Sequence, residues 1–160
     1  MPEAPRDKFV SRLVGSQGAI NAVATWAQGK GKVVQLGSVA VAPDYEHWDE
    51  YTDSGDLFID GKRVEVKGQR YTWERCWPFR DLLVCAAHSF DRAEPKPEWY
   101  IYLNADFTWG AFLCVADCRS GWWQQPYRDK EYGDDYEQIG YWTDPKWLQY
   151  RRLKCAVANP

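Results

Sequence analysis

Between Asp7 and Asp44 the chain carries no Asp or Glu. A helix in that span therefore has no carboxylate to offer a cation. Histidine is scarce, at two residues, which leaves little material for imidazole chemistry. The five cysteines are an odd number, which does not suit a closed disulfide framework. The opening Met1-Pro2 and the residues after it lack the apolar stretch of a secretion signal. No run approaches the roughly 18 apolar residues of a membrane span. Reduced thiols and a cytoplasmic setting are the expectation. Gly29 to Lys32 is too short for a phosphate-cradling loop. No repeat and no linker divides the chain, so one domain over residues 1–160 is expected.

The 160 residues are 45% apolar, enough for one sizeable core. Ten Trp and ten Tyr form a heavy aromatic load, which suits burial or stacking on bases or sugars. The net charge of −3 argues against a generally basic, phosphate-binding surface. Its distribution is uneven, however. From Pro43 to Asp60 there are seven acids and no Lys or Arg, and from Lys62 to Arg80 six basic residues against Glu65 and Glu74. An acidic cluster beside a basic ribbon suits a cation site that faces a polyanion. Two solvated faces of an ordinary domain would look the same.

The helical spacing of Phe9, Val10, Leu13, Val14, Ile20, Val23, Ala24 and Ala27 predicts a helix over Asp7 to Gln28. Gly15 and Gly18 would kink it or split it in two, and Gly29 to Gly31 would end it. Lys32 to Ala42 predicts a strand, or two broken at Gly37. Residues 44–54 form an acidic connection.

Asp60-Gly61 between two short apolar runs is the strongest turn signal in the chain. A two-residue loop there sets Ile59 opposite Lys62, Leu57 opposite Val64 and Asp56 opposite Glu65. Leu57, Ile59, Val64 and Val66 then share a core face, while Asp56, Glu65 and Lys67 share the other. Opposed carboxylates are unfavourable without a cation between them. Lys67 supplies part of that charge, and a hard divalent cation with oxygen ligands would supply the rest.

Asp56 followed by Glu65-Val66-Lys67 resembles the motif of the PD-(D/E)XK nuclease superfamily. The likeness covers about sixteen residues. It implies a restriction-endonuclease-like α/β fold, with a mixed central β-sheet flanked by helices. It further implies Mg2+- or Mn2+-dependent hydrolysis of DNA, with Asp56, Glu65 and the Val66 carbonyl as metal ligands. Lys67 would act on the attacking water or the phosphate. Gln69 is similar to a Gln that several branches place after the Lys. Many members carry a metal-site Glu on the first helix, where this chain offers only Gln17 or Gln28. One of Asp49, Glu50 and Asp53 could supply the extra acid. Many small members are dimers, so a homodimer is possible.

After the hairpin, Arg70, Tyr71, Trp73 and Arg75 interleave charge and rings, as a surface that meets phosphates and bases does. Arg stacked on Trp for stability is the alternative. Asp81 to Ala87 predicts a buried central strand, Trp99 to Leu103 another, and Thr108 to Val115 its hairpin partner. Asp144 to Leu153 predicts a closing helix. Cys85 with His88, and Cys114 with Cys118, have spacings a zinc site tolerates. Apolar burial of the thiols explains them as well. Two rivals to the nuclease stand beside it. One is a nucleic-acid-binding relative with little or no activity. The other is an aromatic-rich carbohydrate- or protein-binding module, resting on rings such as Trp122 and Trp123.

Overall fold

The computed structural model describes residues 5–37, 56–128 and 137–153, with side chains of the first helix from Ser16 onward. Helix α1 (Pro5–Gly29) is continuous, not split at its glycines. Gly18 lies where a Cβ would meet the Phe107 ring at 3.4 Å, and Gly68 meets the same ring from the sheet at 3.6 Å. That close approach explains a small residue inside the helix. The helix ends where the sequence places it. The Lys32 N–H donates to the Ala27 carbonyl and the Gly31 N–H to Gln28, with Gly31 at φ +77. This is the Schellman arrangement, and its left-handed residue is a glycine.

Six strands form the main sheet: β1 (Val34–Leu36), β2 (Leu57–Ile59), β3 (Lys62–Gly68), β5 (Trp99–Leu103), β6 (Trp109–Cys114) and β9 (Gln149–Arg152), in the order β1-β2-β3-β5-β6-β9. Among the described strands only β3 and β5 pair in parallel, so the sheet is mixed. A second, antiparallel sheet has the order β4-β8-β7, from β4 (Leu82–Ala86), β7 (Trp123–Arg128) and β8 (Glu137–Thr143). Two short helices, α2 (Ala87–Arg92) and α3 (Val115–Cys118), follow β4 and β6.

Alternation sorts the main sheet into two apolar faces. Val64, Val66, Ile101, Leu103 and Phe112 pack under Ala19, Ile20 and Val23 of α1. Tyr100, Tyr102, Ala111 and Leu113 face the other way, against Leu82, Val84 and Tyr141 of the second sheet. The Tyr102 hydroxyl donates to the Val84 carbonyl at 3.0 Å and ties the sheets together.

The protein is thus mixed α/β, and two sequence expectations need correcting. The second face of the main sheet is covered by a sheet, not by helices. The apolar run 81–87 contributes β4, an edge strand of that second sheet, rather than a central strand of the first. Its residues are buried because the two sheets stack, a situation that an apolar run alone cannot distinguish from the middle of one sheet.

The closing helix is also overturned. Asp144 does cap a turn, accepting from the Lys146 N–H at 2.8 Å, but that turn is a single 3-10 turn over Pro145–Trp147. The chain then becomes β9, with Tyr150 opposite Ala111 and Arg151 opposite Gly110. Pairing with the edge of β6 outweighs helix propensity here. No helix of the described residues is long and apolar enough to cross a membrane.

Candidate active site at the end of the hairpin

The β2–β3 hairpin has the register read from its sequence: Leu57 opposite Val64, Phe58 opposite Arg63, Ile59 opposite Lys62. Asp60 and Gly61 both take positive φ, +50 and +79, as a type I′ turn requires. Asp60 gains a second role. Its carboxylate accepts the Val33 N–H at 2.9 Å and pairs with Lys32 at 3.5 Å, so it joins the turn to the start of β1. The Val33 bond, foremost, holds its carboxyl below the usual range.

The ladder between β2 and β3 ends at Leu57–Val64. The next inward N–H of β3 is that of Val66, and it donates to Asp56 Oδ2 at 2.7 Å. Within a strand the N–H and C=O of one residue point to the same side. The Val66 carbonyl is therefore directed toward the side on which the Asp56 carboxylate sits. A carboxylate and a carbonyl, both hard oxygen donors, are thereby brought to the open end of the hairpin.

Glu65 and Lys67 project from the opposite face to Val64 and Val66, beside Tyr100 and Tyr102 in register on β5. Both are half-buried at the rim of the inter-sheet core. The cation beside Glu65 comes from its own strand, two residues earlier. Arg63, only 6% exposed, puts Nε and Nη2 on Glu65 Oε1 at 2.8 and 2.7 Å, and its Nη1 on the Pro95 carbonyl at 3.2 Å. Both bonds use one oxygen, and Glu65 Oε2 has no partner among the described residues. The signal was present in the sequence, since residues 63, 65 and 67 share a strand face by simple alternation. Two carboxylates, Asp56 and Glu65, are thus matched by two cations, Arg63 and Lys67.

The donor set fits a hard cation: the Asp56 carboxylate, the Val66 carbonyl and Glu65 Oε2 are all oxygen. Among the described residues, no three His, Cys, Asp or Glu side chains gather closely enough to hold a metal ion by themselves. Asp49, Glu50 and Asp53 lie outside the described residues. Gln17 is turned to Asn21 and Gln28 is exposed at the end of α1. That helix packs on the Val64/Val66 face, away from Glu65 and Lys67.

No family model matches the chain, and no curated protein matches it.

The segment after β3 divides between core and surface. Gln69 continues the strand, its N–H donating to the Leu103 carbonyl at 2.9 Å. Trp73 is 7% exposed and packs against Trp77 and Tyr150. The expectation of Trp73 as a base-stacking surface ring is corrected, because the loop folds back and buries it. Its carbonyl accepts from the buried Asn104 amide at 2.8 Å. Asn104 also accepts the Thr108 and Trp109 N–H groups, which fixes the β5–β6 turn. Arg75 lies over the Trp109 ring at 5.1 Å, the stabilising alternative for that residue. Arg70 and Tyr71 are exposed.

Neither zinc pairing is assembled as a four-ligand site among the described residues. The Cys118 thiol donates to the Cys114 carbonyl at 3.2 Å and accepts from Trp122 Nε1 at 3.1 Å. Cys85 is buried against Tyr100, and burial pushes its thiol up. Trp122 belongs to the core margin, where Arg119 sits over its ring and those of Phe90 and Tyr141 at 4.9, 5.3 and 4.8 Å. Trp123 is surface-exposed on β7. An open cleft of about 450 Å³ lies elsewhere, lined by Ala87, His88, Asp91, Gln124 and residues of β8. It shares no residue with the hairpin site, and Asp91 there already accepts from the Tyr141 hydroxyl at 2.9 Å.

Proposed function

We propose that the protein is a metal-dependent nuclease that hydrolyses phosphodiester bonds in DNA, on a restriction-endonuclease-like variant of the mixed α/β fold. The observation that carries the reading is the Val66 N–H to Asp56 bond, which sets the carboxylate next to the Val66 carbonyl, one residue from both Glu65 and Lys67. The mixed sheet with α1 on one face supports it; the sheet-covered second face departs from the expected helices.

Mg2+ or Mn2+, held by Asp56, the Val66 carbonyl and Glu65 Oε2, would lower the pKa of a bound water and offset charge on the scissile phosphate. The Asp56 carboxylate is kept in place by the Val66 N–H, so its orientation does not depend on the ion. Arg63 fixes the Glu65 carboxylate by one oxygen and leaves the other to the substrate side. Lys67, with no hydrogen bond or ion pair among the described residues, has its ammonium available to orient the attacking water or to stabilise charge developing on the phosphate. A homodimer is part of the proposal, read by sedimentation velocity.

Cleavage of labelled duplex, single-stranded and branched DNA, and of RNA, with magnesium or manganese and with chelator tests the reading. Chelator-sensitive cleavage of DNA is expected. Failure on every substrate would leave the second reading, a nucleic-acid-binding relative without activity. The Arg63–Glu65 pair favours that alternative, because it balances the site's charge without any metal.

A further inference from the structure

We propose that Tyr71 and Phe79 form a stacking platform for unpaired bases, which directs single-stranded or locally opened nucleic acid to the hairpin site. The inference rests on the nuclease reading for its purpose, but not for its geometry.

The two rings stay in the open: Tyr71 is 50% exposed and Phe79 45%. They meet edge to face, with centroids 4.8 Å apart at 78°, so the pair presents ring surface in two directions. Such exposure is not slack in the loop. The Tyr71 carbonyl accepts the Ala105 N–H at 2.9 Å. Phe79 leans on Trp77 at 6.1 Å, and Trp77 on Trp73 and Tyr102 at 5.8 and 5.5 Å. The Trp77 N–H donates to the Tyr150 hydroxyl at 2.8 Å. A continuous train of rings therefore runs from the exposed pair to Tyr102, whose register partner is Lys67. Platform and site belong to the same face of the main sheet.

Reach and charge point to the occupant. Tyr71 lies four residues past Lys67, at most about 14 Å of extended chain. That corresponds to about four nucleotides at about 3.4 Å each along a stacked strand. Arg70 and Arg80, both exposed, adjoin the two rings in sequence and suit a phosphate backbone. A duplex keeps its base faces covered by its own stacking, so the rings gain most from unpaired bases, whatever their sequence.

The test is fluorescence anisotropy in chelator, where cleavage does not intervene, with labelled single-stranded DNA, single-stranded RNA and the matching DNA duplex. Tyr71→Ala and Phe79→Ala are expected to weaken single-strand binding tenfold or more. Duplex binding should change less than twofold, and Tyr71→Phe and Phe79→Tyr should bind like the parent protein. Equal losses on single strand and duplex, no loss on either, or a parent protein that binds no single strand would overturn the platform. If these variants lose single-strand binding and the parent cuts nothing with magnesium, the platform stands and the nuclease reading falls. If the parent cuts DNA and the variants bind normally, the reverse holds.

Discussion

Arg63 and Glu65 stand two residues apart on one strand, and both guanidinium contacts, at 2.8 and 2.7 Å, converge on a single carboxylate oxygen. An ion pair built this way satisfies Glu65 without consuming it. Removing the guanidinium leaves a half-buried carboxylate without its cation, whereas removing both charges leaves no such penalty.

Arg63→Ala should therefore destabilise the protein by about 2–4 kcal/mol. The double variant Arg63→Met with Glu65→Gln should be more stable than the sum of its singles implies, by about 1–3 kcal/mol. Urea unfolding of the four proteins measures the coupling, and strict additivity would show that the pair contributes nothing.

Asp56 accepts the Val66 N–H and is also the proposed metal ligand, and two substitutions separate these roles. Asp56→Ala orphans the Val66 N–H and should lower stability by about 1–3 kcal/mol. Asp56→Asn keeps an acceptor oxygen and should recover most of that, measured by the same unfolding curves. Neither variant should cleave DNA.

The matched charges of Asp56, Glu65, Arg63 and Lys67 make a divalent ion unwelcome unless further anions arrive. Manganese alone should bind weakly, and an uncleavable phosphorothioate oligonucleotide should tighten manganese binding tenfold or more, read by calorimetry. Equal manganese affinity with and without the oligonucleotide would show that the site's acids suffice.

Alkaline pH should unfold the protein cooperatively. Burial holds the Cys85 thiol above its ordinary 9.0 and the Tyr100 and Tyr102 hydroxyls well above 10.0. The unfolded chain ionises these groups at their ordinary values, so unfolding releases protons and gains from rising pH. Stability should be level below about pH 9 and then fall, by up to about 1.4 kcal/mol per pH unit for each group. Urea midpoints between pH 7 and 11 test the sign, and a midpoint that rises above pH 10 would contradict it.

The hairpin was legible because every local signal agreed: Asp60-Gly61 demanded a type I′ turn, and period-two alternation fixed the register. Helix α1 and its Gly31 cap followed from spacing in the same way. What escaped was tertiary. Leu82 to Ala86 is apolar whether it lies inside one sheet or between two, and Gln149 to Arg152 becomes a strand only because β6 offers an edge. Trp73 and Tyr71 are both aromatic and two residues apart, yet one fills the core and the other meets solvent. The candidate site is legible as a face but not as a charge balance, since alternation puts Arg63 on that face without showing that its guanidinium turns onto Glu65.

The most direct measurement is cleavage of labelled DNA in magnesium or manganese by the parent protein and by folded Asp56→Asn and Lys67→Ala. Chelator-sensitive cleavage by the parent, with at least a hundredfold loss in both variants at unchanged secondary structure, is the predicted result. No metal-dependent cleavage by the parent, or cleavage by Asp56→Asn at the parent's rate, would contradict it.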